Sequence, residues 1–589
     1  MAITGGSHHR VVRSTPLAGA SMTRGYQPNP CYPTHGGVVQ IGWHEPVDAL
    51  RDGTPLVLAL DGPAVLDWAP LVDDLSQALE GLETTTARLD VRDWYAPWPE
   101  VVRRTTSPEL ADDPHFERLA EGELSRVFDV LPTPHRPRSG VLLVFGPGAA
   151  LVDHDVLWYL DLPKRYAEAR VAAGHGRNLG QGATDGPATT RRLFYVDWPL
   201  LDRHRDHISP RIDRWFDAQD PARLSSLDGS TLRATMAALA RRPFRTRPTF
   251  NTTPWGGHWG QRELGMNPRA SNTALGYELI APESGLLCGD AGARVEVPFQ
   301  LLVDAHPHEV LGARTHERFG TSFPIRFDYL DTVDGANLSV HCHPQPEYMA
   351  RVFGWPYTQH ETYYLMVAGK GTKVFLGLRE GVDPAAFRRD AERAQREGTP
   401  FDIERHVQTF AATPHQLFCI PAGTPHGSGV GNVVLEVSAT PYLYSLRFYD
   451  WLRRDARGSQ RPIHVEHAFN NLDPRWSGPA VGEALVQRPR VLRAADGWSE
   501  ELLGSRPEMF FEVRRLVLNS QAAVPDDASD GFHVLNVVEG DGLRIETSDG
   551  SVHHLNYAET LVVPAAVGPY RLKRVGSSRV RVVKALVSS

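Results

Sequence analysis

Between residues 55 and 215 short, uninterrupted apolar runs alternate with stretches of helical period. "PLVLAL" and "GVLLVFGPGAAL" read as strands buried on both faces, whereas "WAPLVDDLSQALEGL" and "PKRYAEARVAAG" carry apolar residues at helical spacing. That alternation predicts an α/β layer around a parallel sheet. A helix is predicted over "GSTLRATMAALARR" (229–242), and proline-rich "RRPFRTRPTFNTTPWGG" (241–257) marks a boundary. Beyond it the text turns β-rich: "NLSVHCHP", "ETYYLMVA", "TKVFLGL", "HQLFCIPAG", "NVVLEVSAT". One helix interrupts at 383–398, with Asp383 placed to cap it and Pro384 at its first position. A second β-rich stretch runs from about 508 to 586, with glycine-containing turns that suggest a compact antiparallel barrel or sandwich. Both β regions share a layout of strand, G-x-G turn, strand and Pro-Ala. The expected organisation is a loose Gly/Pro/Ser/Thr-rich tail (1–35), an α/β domain (36–240), a β-barrel domain with a helical insertion (241–490) and a second barrel (491–589).

Length agrees with several cores, since 589 residues exceed what one core holds. A hydrophobic share of 41% with 22% charged residues is that of a globular protein. The formal net charge is −8, with no basic cluster to serve nucleic acid or an anionic membrane. No apolar run approaches the roughly 18–20 residues that span a bilayer, and the start lacks the apolar middle of a secretory signal. Four cysteines do not form a disulfide framework in so long a chain. The expected location is the cytoplasm.

Chemistry concentrates in "LSVHCHP". Alternation along a strand places His341 and His343 on one face and Cys342 on the other. Glu361 on a later strand adds a carboxylate, and the turn in "CIPAGTPHGSG" aims His426 inward. Three imidazoles and one carboxylate suit a divalent zinc, manganese, iron or nickel ion.

These segments, in order, resemble type I phosphomannose isomerase, a family of cupin-fold metalloenzymes. "NLSVHCHP", "HETYYLMVAGKGTKVFLGLREGVDP" and "LFCIPAGTPHGSGVGNVVLEVSATPYLYSLRFYDW" carry the likeness, with "RPTFNTTPWGG", "GYELIAPE" and "FPIRFDYLDTVDG" upstream. The resemblance implies two cupin (jelly-roll) modules, the last hundred residues forming a metal-free one. In the family a Gln and a His two apart, a Glu and a later His hold zinc. His341, His343, Glu361 and His426 stand in those places, so His replaces the family's Gln, a set found in many other cupins. Zinc is the expected ion, with Fe, Mn and Ni also compatible. By the same resemblance Ser339 falls on a substrate-side serine, Glu436 on an acid of proton transfer and Arg447 on an active-site arginine. Trp255 lies in the upstream motif; it and Trp259, Trp355, Tyr363 and Tyr364 are read either as faces for a sugar or, for most of them, as core packing. Two family lysines are replaced, by Gln359 and Asp328; this chain has lysine only at 164, 370, 373, 573 and 584. Arg326, Arg351 and Arg447 remain to meet a phosphate. The implied reaction interconverts mannose 6-phosphate and fructose 6-phosphate through an enediol. Alternatives are an isomerase of an unphosphorylated or other sugar, an iron dioxygenase, and a sugar-binding regulator. The expected partner is a small sugar or sugar phosphate.

Residues 55–215 bear a fainter likeness to the uridine kinase branch of nucleoside kinases, which implies a degenerate P-loop-kinase-like domain. "DGPAVLDWA", in the phosphate loop's place, lacks the Lys and Ser/Thr that G-x-x-x-x-G-K-[ST] requires. Asp61, Asp153, Asp161 and Asp197 are read as strand-end and turn residues.

Overall fold

The computed structural model describes residues 25–50, 55–455 and 458–588. Its first unit is an α/β layer. Strands β1 (Leu56–Asp61), β2 (Thr86–Asp90), β3 (Val141–Phe145), β4 (Val156–Asp161) and β5 (Arg214–Asp217) form a parallel sheet in the order β2-β3-β1-β4-β5. An antiparallel strand, β6 (Ser225–Asp228), flanks β5, and the short strand Gln40–Ile41 pairs beyond it at the edge. β1 and β3 are buried along their whole length, which is why they read as unbroken apolar runs. The helix Trp68–Glu80 turns Trp68, Leu71, Val72, Leu75 and Leu79 onto the sheet at helical spacing.

The stretch after β1 is where a phosphate loop was expected in degenerate form. There the Asp61 carboxylate accepts the backbone N–H of Gly62 (2.7 Å), Gly148 (3.1 Å) and Ala150 (2.8 Å), and it also meets His204 Nε2 at 2.8 Å. Amides that could face an anion are thus taken by the chain's own acid. Lys164 bonds Asp202 at 2.5 Å and lies over the Trp198 ring. The kinase-like expectation therefore reduces to a plain α/β unit whose strand-end acids knit loops together.

The second unit has two facing β-sheets. Strands β7 (Thr249–Asn251), β8 (Leu275–Leu279), β9 (Ile325–Asp331), β10 (Val340–Cys342), β11 (Glu361–Ala368), β12 (Lys373–Leu378), β13 (Val407–Ala411), β14 (Leu417–Ile420), β15 (His426–Ser428), β16 (Asn432–Ala439) and β17 (Leu446–Tyr449) supply them. One sheet runs β14-β11-β16-β9-β8-β7, the other β13-β12-β15-β10-β17. The helix Pro384–Glu397 is the expected insertion, and Asp383 accepts from the N–H of Ala385 and Ala386 at its start. Three further helices, Phe299–Ala305, Pro307–Leu311 and Ala313–Phe319, precede β9. They are too short to show a helical period, so sequence reading passed over them.

The third unit stacks a six-stranded on a four-stranded antiparallel sheet between Arg490 and Val587. Its interior holds Lys584, bonded to Glu500 at 2.6 Å and to Asp526 at 2.7 Å across the two sheets. Phe244 and Val562 exchange backbone hydrogen bonds, and Tyr329 of β9 donates to the Ala558 carbonyl at 2.9 Å. The first and second units meet at buried Glu296, which accepts from Arg165 (2.7 Å) and Arg247 (2.6 Å). The expected tail is shorter where it can be described: Tyr26 is fully buried and Cys31–Tyr32 is a strand, while residues 1–24 lie outside the described residues.

Candidate functional site

Strand register builds the site. β9 and β16 set Asp328 opposite Glu436 and Arg326 opposite Ser438. β16 and β11 set Tyr363 opposite Glu436 and Glu361 opposite Ser438, and β8 brings Tyr277 opposite Asp328. Alternation then puts two polar rows on one inner face, Tyr277–Asp328–Glu436–Tyr363 and Arg326–Ser438–Glu361. On the facing sheet His341 of β10 pairs with His426 of β15 and with Arg447 of β17. Between the sheets lies a cavity of about 490 Å³.

His341, His343, Glu361 and His426 converge at its floor, all buried, with one ligand atom from each within 4.8 Å of the others. Every imidazole spends its Nδ1 on a backbone carbonyl: His341 on Ser339 (2.9 Å), His343 on Tyr444 (3.3 Å) and His426 on Thr424 (2.8 Å). Those bonds fix the tautomer and leave each Nε2 lone pair facing inward. His343 Nε2, His426 Nε2 and Glu361 Oε1 have no well-aligned hydrogen-bond partner. Burial pushes His341 well below the usual imidazole range, with His426 and His343 adding to it. Burial would raise the Glu361 carboxyl, but His426 and His343 hold it well below the ordinary value. Inward-facing Nε2 atoms whose Nδ1 is already bonded, beside a carboxylate held ionised, are the donors that a divalent cation needs, so the set fits a metal.

Beside the floor, Arg326 serves two carboxyls. It donates to Glu436 and, through Nε, to Ser438 Oγ at 2.6 Å, and Asp328 lies 3.5 Å from the same nitrogen. Burial pushes Asp328 up to about 6 against the pull of Arg326, and pushes Glu436 well above the carboxylate range. Two buried acids facing one guanidinium favour holding a proton between them. Gln359 Nε2 bridges Glu361 Oε2 (2.9 Å) and Glu436 Oε1 (3.3 Å).

Arg447 occupies another wall. It shares Asp450 with Arg461 and Arg453, so three guanidiniums face one carboxylate. Burial, with Arg461 adding, brings Arg447 down to about 10, and its buried Nε lacks a partner. Ser339 and Trp255 line the cavity as well. Eight of the nine residues singled out from the sequence thus line one cavity, and the ninth, His426, lies buried behind its floor with Nε2 2.7 Å from Glu361 Oε1. Of the wider aromatic set, Tyr363 faces it, whereas Trp259 packs on Tyr329 and Tyr557, and Tyr364 bonds His415 at 2.9 Å on the far side of the sheet. Arg351 lies over the Tyr348 ring instead.

Sequence reasoning missed Arg461, His464, His115, Phe116 and Tyr195, all on the cavity wall. They sit outside the β-strands, without a motif, and only tertiary packing brings them in.

A model of a domain of unknown function (DUF8485) matches residues 42–241. A mannose-6-phosphate isomerase of Streptococcus mutans is 24% identical over 295 residues, 49% of this chain and 82% of that protein. Mannose-6-phosphate isomerase ManA of Bacillus subtilis is 23% identical over 340 residues, 57% of this chain and 97% of its own length. Among solved structures, mannose 6-phosphate isomerase from Bacillus subtilis covers 59% of this chain and 100% of itself at 18% identity, with a TM-score of 0.48. A zinc-bound mannose 6-phosphate isomerase covers 59% of this chain and 100% of itself at 15% identity, with a TM-score of 0.44.

Proposed function

We propose that this chain, a distant homologue of mannose-6-phosphate isomerases, is a metal-dependent aldose–ketose isomerase whose first substrate pair is mannose 6-phosphate and fructose 6-phosphate. The observation that carries the reading is the convergence of three imidazole Nε2 atoms and one carboxylate at the floor of a cavity of about 490 Å³. We read its two β units as cupin modules, the second without a metal. Zinc bound by His341, His343, Glu361 and His426 would act as a Lewis acid on the sugar carbonyl and the neighbouring hydroxyl.

The protein's own residues then carry the proton. Isomerisation moves one proton between adjacent carbons through an enediol, so a single group must take it as a base from one carbon and return it as an acid to the other. Glu436 meets that need: burial raises its proton affinity above that of an ordinary carboxylate, which suits a group that takes and returns a proton. Arg326 and Gln359 hold its carboxyl in place. Arg447, on the cavity wall, faces the charge that develops on the enediolate. Ser339 and Trp255 position the sugar. Where the family places two lysines, Gln359 and Asp328 offer no positive charge, and the surplus guanidiniums around Asp450 are the phosphate's alternative.

The test is turnover of mannose 6-phosphate, fructose 6-phosphate, mannose and fructose by metal-replete protein, with and without chelator. Chelator-sensitive conversion of the phosphorylated pair supports the reading. Turnover of the free sugars alone moves the substrate, and oxygen uptake by the iron-loaded protein without isomerisation replaces the reaction by dioxygenation.

A further inference from the structure

The cavity is not built by the β-sheets alone. Pro114, His115, Phe116 and Tyr195, which belong to the α/β unit, form part of its wall. They are held there by many bonds. Leu119 donates its N–H to the Phe353 carbonyl at 3.0 Å, and Arg118 Nη1 donates to the Arg351 carbonyl at 2.6 Å. Asp113 meets His467 Nε2 at 2.7 Å, while His467 Nδ1 accepts from Tyr348 at 2.6 Å. The Phe116 ring packs edge-on against Phe353, His464 and His467. Behind the segment, Arg191 donates to the Phe116 carbonyl at 2.7 Å and Ala120 to the Tyr195 carbonyl at 2.8 Å. His115 is different. Its side chain is half-buried, its ring lies 5.2 Å from that of His464, and the Arg447 guanidinium is close enough to act on it electrostatically.

We propose that residues 113–119 of the α/β unit, with Tyr195, are the roof of the isomerase cavity, and that His115 contacts the sugar beside Arg447. The α/β unit is then a specificity element: a rigid wall across the cavity selects a single sugar ring and its substituent over a longer saccharide. Anchored on both sides, the segment loses little freedom on binding, which favours selectivity. The isomerase reading supplies only the choice of probe.

Two measurements on the full chain test the roof. In the turnover assay, His115→Ala should raise KM for mannose 6-phosphate by about tenfold and leave kcat within about threefold, the pattern of lost binding rather than lost chemistry. His115→Gln, which keeps a hydrogen-bonding group, should recover most of the KM, and Arg103→Ala, on an exposed helix of the same unit, should change nothing. Melting temperatures equal to that of the parent chain exclude a folding defect. Independently of turnover, amide hydrogen exchange in residues 113–119 should slow when mannose 6-phosphate is added at millimolar concentration. Unchanged KM in His115→Ala overturns the proposal. So does unaltered exchange in 113–119, whatever happens at the metal strands. Absent turnover with protected 113–119 refutes the isomerase and leaves the roof standing.

Discussion

At the scale of single residues, the site depends on which face a side chain takes along its strand. Glu436, Arg326 and Asp328 share one inner face because the β9–β16 register sets them in line. Glu436→Gln keeps the shape and removes the exchangeable proton, so kcat should fall by about 100-fold or more with KM changed only a few-fold, as read by steady-state kinetics. Arg326→Met removes the guanidinium that two buried acids, Asp328 and Glu436, share; denaturant unfolding should show a loss of about 3–5 kcal/mol. The metal set was legible because period-two alternation says where His341 and His343 point before any fold is known. Arg461, His464 and His115 were not legible, since a lone residue outside a strand has no periodicity to declare its direction. Gln359 was legible as a departure from a lysine, but its bridge between Glu361 and Glu436 is a tertiary fact.

At the scale of elements, three parallel strands of the first unit, β1, β4 and β5, end in buried acids, Asp61, Asp161 and Asp217. Asp161 closes β4, and Oδ2 of its buried carboxyl lacks a partner. Burial pushes it from an ordinary 3.8 up to about 7, outweighing the pull of Arg205. A folded-state value above the unfolded one means that the associated stability is complete at acid pH and lost as pH rises through the folded value. The shift corresponds to at most about 4 kcal/mol at pH 8. Asp161→Asn should therefore melt above the parent chain at about pH 8, with the gap closing towards about pH 4. A gap that widens on acidification would reverse the sign and remove the assignment. Fully buried strands and the longer helices could be read from the chain, because unbroken apolar runs and helical spacing each repeat over several turns or residues. The three helices of 299–319 could not, being shorter than two helical periods each.

At the scale of the whole molecule, one apolar cluster crosses all three units, while the other face of the α/β sheet and part of the sheet that holds β10 and β17 pack into two separate clusters. Units joined in this way have little reason to unfold one by one, since opening one exposes the apolar faces of its neighbours. Lys584 offers a way to test this far from the metal. Its ammonium is buried between the sheets of the third unit with Glu500 and Asp526 as partners. Lys584→Met removes the fully buried cation of this cluster and leaves Glu500 and Asp526 to the partly exposed Arg493, with Arg514 beside Glu500, a loss of about 3 kcal/mol. If the core is mechanically one body, that variant should lower a single melting transition seen alike by far-ultraviolet circular dichroism and by release of the bound metal. Metal retained above the melting of the third unit would instead show that the catalytic sheets stand alone. The roof residues 113–119 would then be the contact to watch, because the α/β unit could still cover the cavity after the third unit had melted.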